Sequence, residues 1–471
     1  MRDLLEISAG EAIALMRQGD LKAEAYAAAL LDRCKAGRQL NAFITLAPDQ
    51  VLEAARAADR RRAAGAFLGP LHGLPIPIKD SVNTADYPTT SGTAALRDFQ
   101  PKDDAPVVRA LRDAGGIVLG KTNLQELSLG WTSTNLTFGP VKNAYDPARI
   151  PGGSSGGTAV AIASRMAPLG VAEDTCGSIR VPAALCGIAG FRPTTFRYSP
   201  RGVMPLTSVF DTVGPHARTV DDLALFDSVI TGDFNALRPI SPSGLRLGIS
   251  RAHYFTGLDP EVGRVAGEAL ARLREAGVTL VEADVPDLTR LVDAANFPII
   301  YCETVSMITR YLEEFGTGVT FEQVLAGVGA NVRPSLEARL RPGGAFVVPE
   351  EAYRAARNVH RPALQEAFRA YFCQTGVAAI VYPTTLGPAP AIGQDQEVQI
   401  AGEKVPFKLA MSRNVAPASC AGIPALVLCA GLTREGLPVG VEFAGPAGAD
   451  RALLALGRTL EGILGRPPAP G

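Results

Sequence analysis

Histidine is scarce in this chain, with four in 471 residues (His72, His216, His253 and His360), and there is a single tryptophan, Trp131. So few imidazoles leave little room for chemistry built on histidine bases. A charge excess is also missing. The 46 Lys and Arg residues face 47 Asp and Glu, a formal −1. That balance offers no field for a phosphate backbone and argues against nucleic-acid binding. The seven cysteines are odd in number, scattered, and without a CxxC pair. Neither a disulfide framework nor a zinc site is suggested, and a reducing compartment fits. The start, Met1-Arg2-Asp3-Leu4-Leu5-Glu6, holds no apolar signal region. The uncharged stretch 414–433 is broken by Pro417, Gly422, Pro424 and Gly431, which predicts a buried strand and turn, not a membrane span. A cytoplasmic protein with no membrane or nucleic-acid partner is expected, and a homodimer is compatible with the chain.

What is present is a globular composition, 47% hydrophobic and 20% charged, with 49 glycines and 36 prolines. Many tight turns and sites built from backbone follow from that. Ser8 and Glu11 form a capping-box pattern ahead of an apolar stripe that stops at Gly19, and further helices are predicted over 21–34 and from about Val51 to Gly65. Leu74-Pro75-Ile76-Pro77-Ile78 must be extended, because two prolines at spacing two forbid helix, and Lys79-Asp80 end that strand. Helices over 107–114, 158–164, 261–275 and 349–372 alternate with strands at 117–119, before Val171, and at 245–249, 278–281, 377–381 and 425–428. No repeat or low-complexity linker interrupts this. The expectation is α/β: a large mixed sheet with helices on both faces, one domain over 1–471, its chemistry in 65–225 and a variable region in 225–410.

Two motifs mislead. Gly115-Gly116-Ile117-Val118-Leu119-Gly120-Lys121-Thr122 spells a P-loop, yet Ile-Val-Leu favours a strand where that loop must be flexible, and a helix precedes it. Gly153-Ser154-Ser155-Gly156-Gly157 also matches the nucleophile elbow, with Ser155 as nucleophile. That reading needs a downstream histidine, and His216, His253 and His360 lie in ordinary surroundings, His360 within a polar helix. A third reading joins Lys79, Ser154 and Ser178. A lysine ending an apolar strand is partly desolvated, which lowers its pKa and makes it a base. Two hydroxyls then relay a proton from Ser178 through Ser154 to Lys79. The turn Thr175-Cys176-Gly177-Ser178 can aim consecutive N–H groups at one point, as an oxyanion requires.

These segments together resemble the amidase signature family over nearly the whole chain. Leu74-Pro75-Ile76-Pro77-Ile78-Lys79-Asp80, Lys121-Thr122-Asn123-Leu124-Gln125-Glu126, Pro151-Gly152-Gly153-Ser154-Ser155-Gly156-Gly157, Ser178-Ile179-Arg180-Val181-Pro182-Ala183 and Gly190-Phe191-Arg192-Pro193-Thr194 follow in the family's order. The resemblance implies a Ser-cisSer-Lys triad of Ser178, Ser154 and Lys79, with the Gly153–Ser154 peptide cis. The family's serines are 24 positions apart, as Ser154 and Ser178 are, which selects Ser154 over Ser155 as relay. Backbone N–H groups of Thr175, Cys176, Gly177 and Ser178 become the oxyanion donors, and Ser155, Asp174 and Arg180 the supports. No metal or organic cofactor is implied. Cys176 stands where the family usually has Gly, and Ala172-Glu173-Asp174 where Gly-Thr-Asp is usual. Cys176 has no base of its own, which disfavours it as nucleophile.

Val181, where the amidotransferase subunit typically has Gln, disfavours that branch. Gly187-Ile188-Ala189-Gly190 and Gly202-Val203-Met204-Pro205-Leu206 look like the mandelamide and indoleacetamide hydrolases. The activity implied is hydrolysis of a small hydrophobic or aryl carboxamide, releasing ammonia or an amine, with Ser128, Leu129 and Trp131 beside the acyl pocket. The alternatives are a carbamate, anilide or ester hydrolase with the same triad, or an amidotransferase subunit acting with a partner protein.

Overall fold

A computed structural model describes residues 3–471. Eleven strands form one mixed sheet: β1 (Phe43–Leu46), β2 (Pro75–Lys79), β3 (Ile117–Thr122), β4 (Leu169–Asp174), β5 (Ala189–Arg192), β6 (Thr212–Ala217), β7 (Arg246–Ile249), β8 (Thr279–Glu282), β9 (Ala379–Pro383), β10 (Ala425–Leu432) and β11 (Pro438–Ala444). Their order across the sheet is β1-β3-β2-β4-β6-β5-β10-β11-β9-β7-β8. β2 runs parallel to β3 and β4, the central pairs are antiparallel, and β9, β7 and β8 are parallel again. Strands β2 to β6 are buried along their whole length, as their continuous apolar runs require.

The first helix, Ala9–Gln18, begins with the Ser8–Glu11 capping box and ends at Gly19 in the left-handed conformation. The P-loop string is strand β3, preceded by the helix Pro106–Asp113. Its Lys121 is fully buried, 3.1 Å from Asp80, and donates to the Val82 carbonyl and the Thr89 hydroxyl. A lysine so engaged has no phosphate to hold. The polar helix expected over 349–372 is two helices, Glu350–Ala355 and Arg361–Thr375, joined by a π-turn at Ala356–His360. Pro362, near the start of the second, lacks the N–H that regular i→i−4 bonding across the junction needs. The stretch 414–433 holds a short helix, Ala416–Ala421, before its strand.

One helix went unpredicted. Leu288–Glu314 is 27 residues long, carries Pro298 internally, and by length and composition alone suffices to cross a bilayer. Half of that apolar stretch is buried in the fold, Ala295 and Ile299 in one cluster with Phe368 and Tyr371. Its Glu303 is paired with Arg357 at 2.7 Å.

Candidate active site

The site lies where β2 and β4 end side by side, at the carboxyl edge of parallel strands, where α/β sheets commonly place their chemistry. Lys79 is the last residue of β2 and is fully buried. Its Nζ donates to Ser154 Oγ at 2.6 Å and to the Glu173 carboxylate. Burial pushes the Lys79 pKa down, and Glu173 opposes that shift. The same Glu173 oxygen accepts from Ser128 Oγ at 2.6 Å and, more loosely, from Ser154 Oγ at 3.4 Å. Ser128 and Leu127 both have positive φ, 58° and 51°, conformations rare without glycine, and this turn carries the Ser128 hydroxyl onto Glu173.

The Gly153–Ser154 peptide is cis. Behind it the helix Gly156–Ala163 is buried on every side, and its start packs directly on backbone. A Cβ at Gly157 would lie 2.2 Å from the Asn123 carbonyl oxygen, which is why glycine is required there. Ser155 Oγ donates to the Glu173 carbonyl at 3.1 Å, a supporting contact. The turn 175–178 is held by its carbonyls. Cys176 O accepts from the Trp131 indole at 2.8 Å, Gly177 O from Val181 N at 2.7 Å, and Ser178 O from Ser155 N at 3.3 Å.

Two findings depart from the sequence expectation, and a third concerns the conformation at Cys176. The Gly177 amide is turned to Asp174 Oδ1 at 2.9 Å and is not free for an oxyanion, which leaves Thr175, Cys176 and Ser178. The left-handed conformation falls on Gly177 (φ 95°), not on Cys176, so a side chain at 176 costs nothing in backbone strain. Ser178 Oγ lines the cavity and makes no hydrogen bond to Ser154 or to any other described residue. Of the three side chains expected to form a relay, Lys79 and Ser154 are in direct contact and Ser178 stands free.

Asp174 anchors the turn. Fully buried, it accepts from the amides of Gly177 and Ile179 and is flanked by Arg180 and Arg192 at 3.1 and 2.9 Å. Burial alone would raise its pKa, but the two guanidiniums hold it well below the usual carboxylate range. Arg180 reaches on to Glu442 at 2.6 Å, tying the turn to β11.

The histidines stand apart. His216 meets the Ile179 carbonyl at 2.7 Å and His253 lies between Thr289 and the Arg413 carbonyl, and burial pushes each down to about 4. His360 is half-buried in the π-turn. None bonds to Ser155, so the nucleophile-elbow arrangement is absent among the described residues. Burial also pushes the Cys176 thiol up to about 11, and its sulfur accepts from Asn296 Nδ2 at 3.6 Å, which makes it a packing group and not a thiolate. No cluster of three or more His, Cys, Asp or Glu side chains placed for a metal occurs among the described residues.

Beyond Ser178 opens a cavity of about 120 Å³ whose walls include Ser128, Leu129, Trp131, Thr175 and Cys176. An engineered apolar cavity of about 150 Å³ takes benzene, so this space is on the scale of one ring. A family profile described as Amidase matches residues 25–454. The chain belongs to the amidase family. It is 38% identical to an indoleacetamide hydrolase of Agrobacterium vitis over 96% of each chain. It is 37% identical to a mandelamide hydrolase of Pseudomonas putida over 99% of this chain and 93% of that one. A crystal structure of an amidase superposes with a TM-score of 0.87, at 32% identity, over 98% of this chain and all of the other.

In this amidase several site residues escape a sequence reading. Glu173 had a signal, an acid ending a buried apolar strand where the family usually has Thr. Further lining residues of the cavity, Phe297, Tyr301, Arg339, Phe346 and Lys408, come from three helices and a turn spread over positions 297–408, and no local pattern marks them.

Proposed function

We propose that the protein hydrolyses the C–N bond of a small aryl carboxamide through an acyl-enzyme on Ser178, releasing ammonia or an amine. The observation that carries this reading is the buried contact of Lys79 with Ser154 beside an aromatic cavity that Ser178 lines. The names of the indoleacetamide and mandelamide hydrolases support an aryl acyl group. Ser178 Oγ attacks the carbonyl carbon and its proton passes through Ser154 to neutral Lys79. The oxyanion is met by amides of Thr175, Cys176 and Ser178. Ser154 then returns a proton to the departing nitrogen, and water, deprotonated along the same route, frees the acid. The Ser178–Ser154 link must close when substrate binds, as catalytic hydrogen bonds in empty sites often do. Glu173 stabilises the ammonium that forms on Lys79, much as a triad aspartate stabilises imidazolium. The chain supplies every group in this scheme without a cofactor, in a reducing compartment such as the cytoplasm.

A panel of matched aryl amides, anilides, carbamates and esters, ranked by kcat/KM, tests the reading. Phenylacetamide-type amides are expected to lead. If esters or carbamates turn over while no primary amide does, the amide assignment is wrong.

A further inference from the structure

The cavity that Ser178 lines also holds two cations, Lys408 and Arg339, without an acidic partner among the described residues. Lys408 Nζ lies 3.3 Å from the Phe297 ring centre and 4.8 Å from that of Tyr301, whose hydroxyl it also contacts. The Arg339 guanidinium lies 5.0 Å from the Tyr301 ring and 5.6 Å from Phe346. One arm of it bonds Ser335, and its Nε is buried with no acceptor. No carboxylate lines this cavity, and neither cation has an acidic partner among the described residues. The fully buried cations of the site region are matched, Lys79 with Glu173, Lys121 with Asp80, and Arg180 and Arg192 with Asp174, whereas Lys408 and Arg339 are half-buried and line the cavity without such a partner. Aromatic faces attract cations but do not neutralise them. Two positive charges on the lining of a largely apolar, one-ring cavity are therefore a half-built ion pair.

We infer that Lys408 and Arg339 read an anionic substituent, a carboxylate, on the aryl ring of the substrate. The ring lies between the aromatic walls, its amide at Ser178 and its charge at the two cations. This rests on the aryl-amide reading above and narrows its substrate class. Partial burial pushes Lys408 down to about 8 and Arg339 down to about 10, which agrees with two cations drawn partly out of water and lacking a counter-charge. The titratable groups facing Lys408 are Arg339, the Cys176 thiol and the Tyr301 hydroxyl.

The test compares phenylacetamide with its 3- and 4-carboxy and 4-aminomethyl derivatives. Turnover is followed on the wild type, and binding by calorimetry on Ser178→Ala, so that the preference is read even where no amide is cleaved. A carboxylated derivative is expected to bind and react at least tenfold better than phenylacetamide, and the aminomethyl one at least tenfold worse. Lys408→Met and Arg339→Met should each bring the carboxylate-to-neutral ratio toward one, while Lys408→Arg keeps it. Because the triad's own titration cancels in that ratio, its decline above about pH 8 reports Lys408. Equal binding of charged and neutral amides, or a ratio unmoved by either methionine variant, overturns the inference. Cleavage of phenylacetamide with equal ratios leaves the aryl-amide reading standing, whereas carboxylate-selective binding without cleavage refutes that reading alone.

Discussion

Lys79 is pulled two ways, by burial that strips its proton and by a carboxylate that retains it. Removing the carboxylate while keeping the shape separates the two. In Glu173→Gln the lysine loses its counter-charge, its pKa falls further, and the rising limb of kcat/KM against pH is expected to move down by about one unit or more. A limb that stays in place would mean that Lys79 is not the group titrating. Ser178→Ala should cost about 10⁴-fold or more in kcat, as loss of a nucleophile does. Ser155→Ala, which removes only a hydroxyl bonded to the Glu173 carbonyl, should leave measurable turnover. The reverse ranking would restore Ser155 as nucleophile.

The turn that follows β4 is set by charge as much as by hydrogen bonds. Asp174→Asn leaves Arg180 and Arg192 buried with less than their full counter-charge, and stability is expected to fall by about 3–5 kcal/mol, measured from urea unfolding midpoints. A loss under 1 kcal/mol would show that Glu442 and Ser419 suffice for Arg180. Elements like these are legible in the sequence. Prolines at spacing two forced β2, the capping box placed the first helix, and Ile-Val-Leu overrode a nucleotide motif, because each is a local constraint. Lys79, Ser154 and Ser178 were legible as candidates through a family pattern, since glycines in contact with backbone tolerate no replacement. The helix Leu288–Glu314 was not, because Pro298 interrupts its pattern and tertiary packing sets its course. Arg339 and Lys408 were not, because chain segments about 70 residues apart meet only in the folded cavity. The Gly177 amide was misjudged because spacing shows where an N–H can point and not which acceptor takes it.

At the scale of the whole molecule, two neutral histidines make the fold sensitive to acid. His216 and His253 titrate near 4 when folded and near 6.5 when unfolded, so the unfolded chain binds more protons between those values. Stability that each confers above pH 6.5 is lost as pH falls through that window, at most about 3 kcal/mol apiece. Asp211 and Glu461, pushed up to about 6 and about 7 by burial, act in the opposite sense over an overlapping range. The informative quantity is thus a difference. His216→Gln should flatten the fall in urea midpoint between pH 6.5 and 4 relative to wild type, and parallel curves would mean that His216 protonates in the fold.

Trp131, alone of its kind, anchors its indole on the Cys176 carbonyl and presents its ring to the cavity. All the indole emission excited on the red edge of absorption therefore originates beside the cavity that Ser178 lines. The enzyme carries its own optical probe: an occupant that displaces water from that ring will change the colour and yield of its light, with no dye attached and no other indole to dilute the signal.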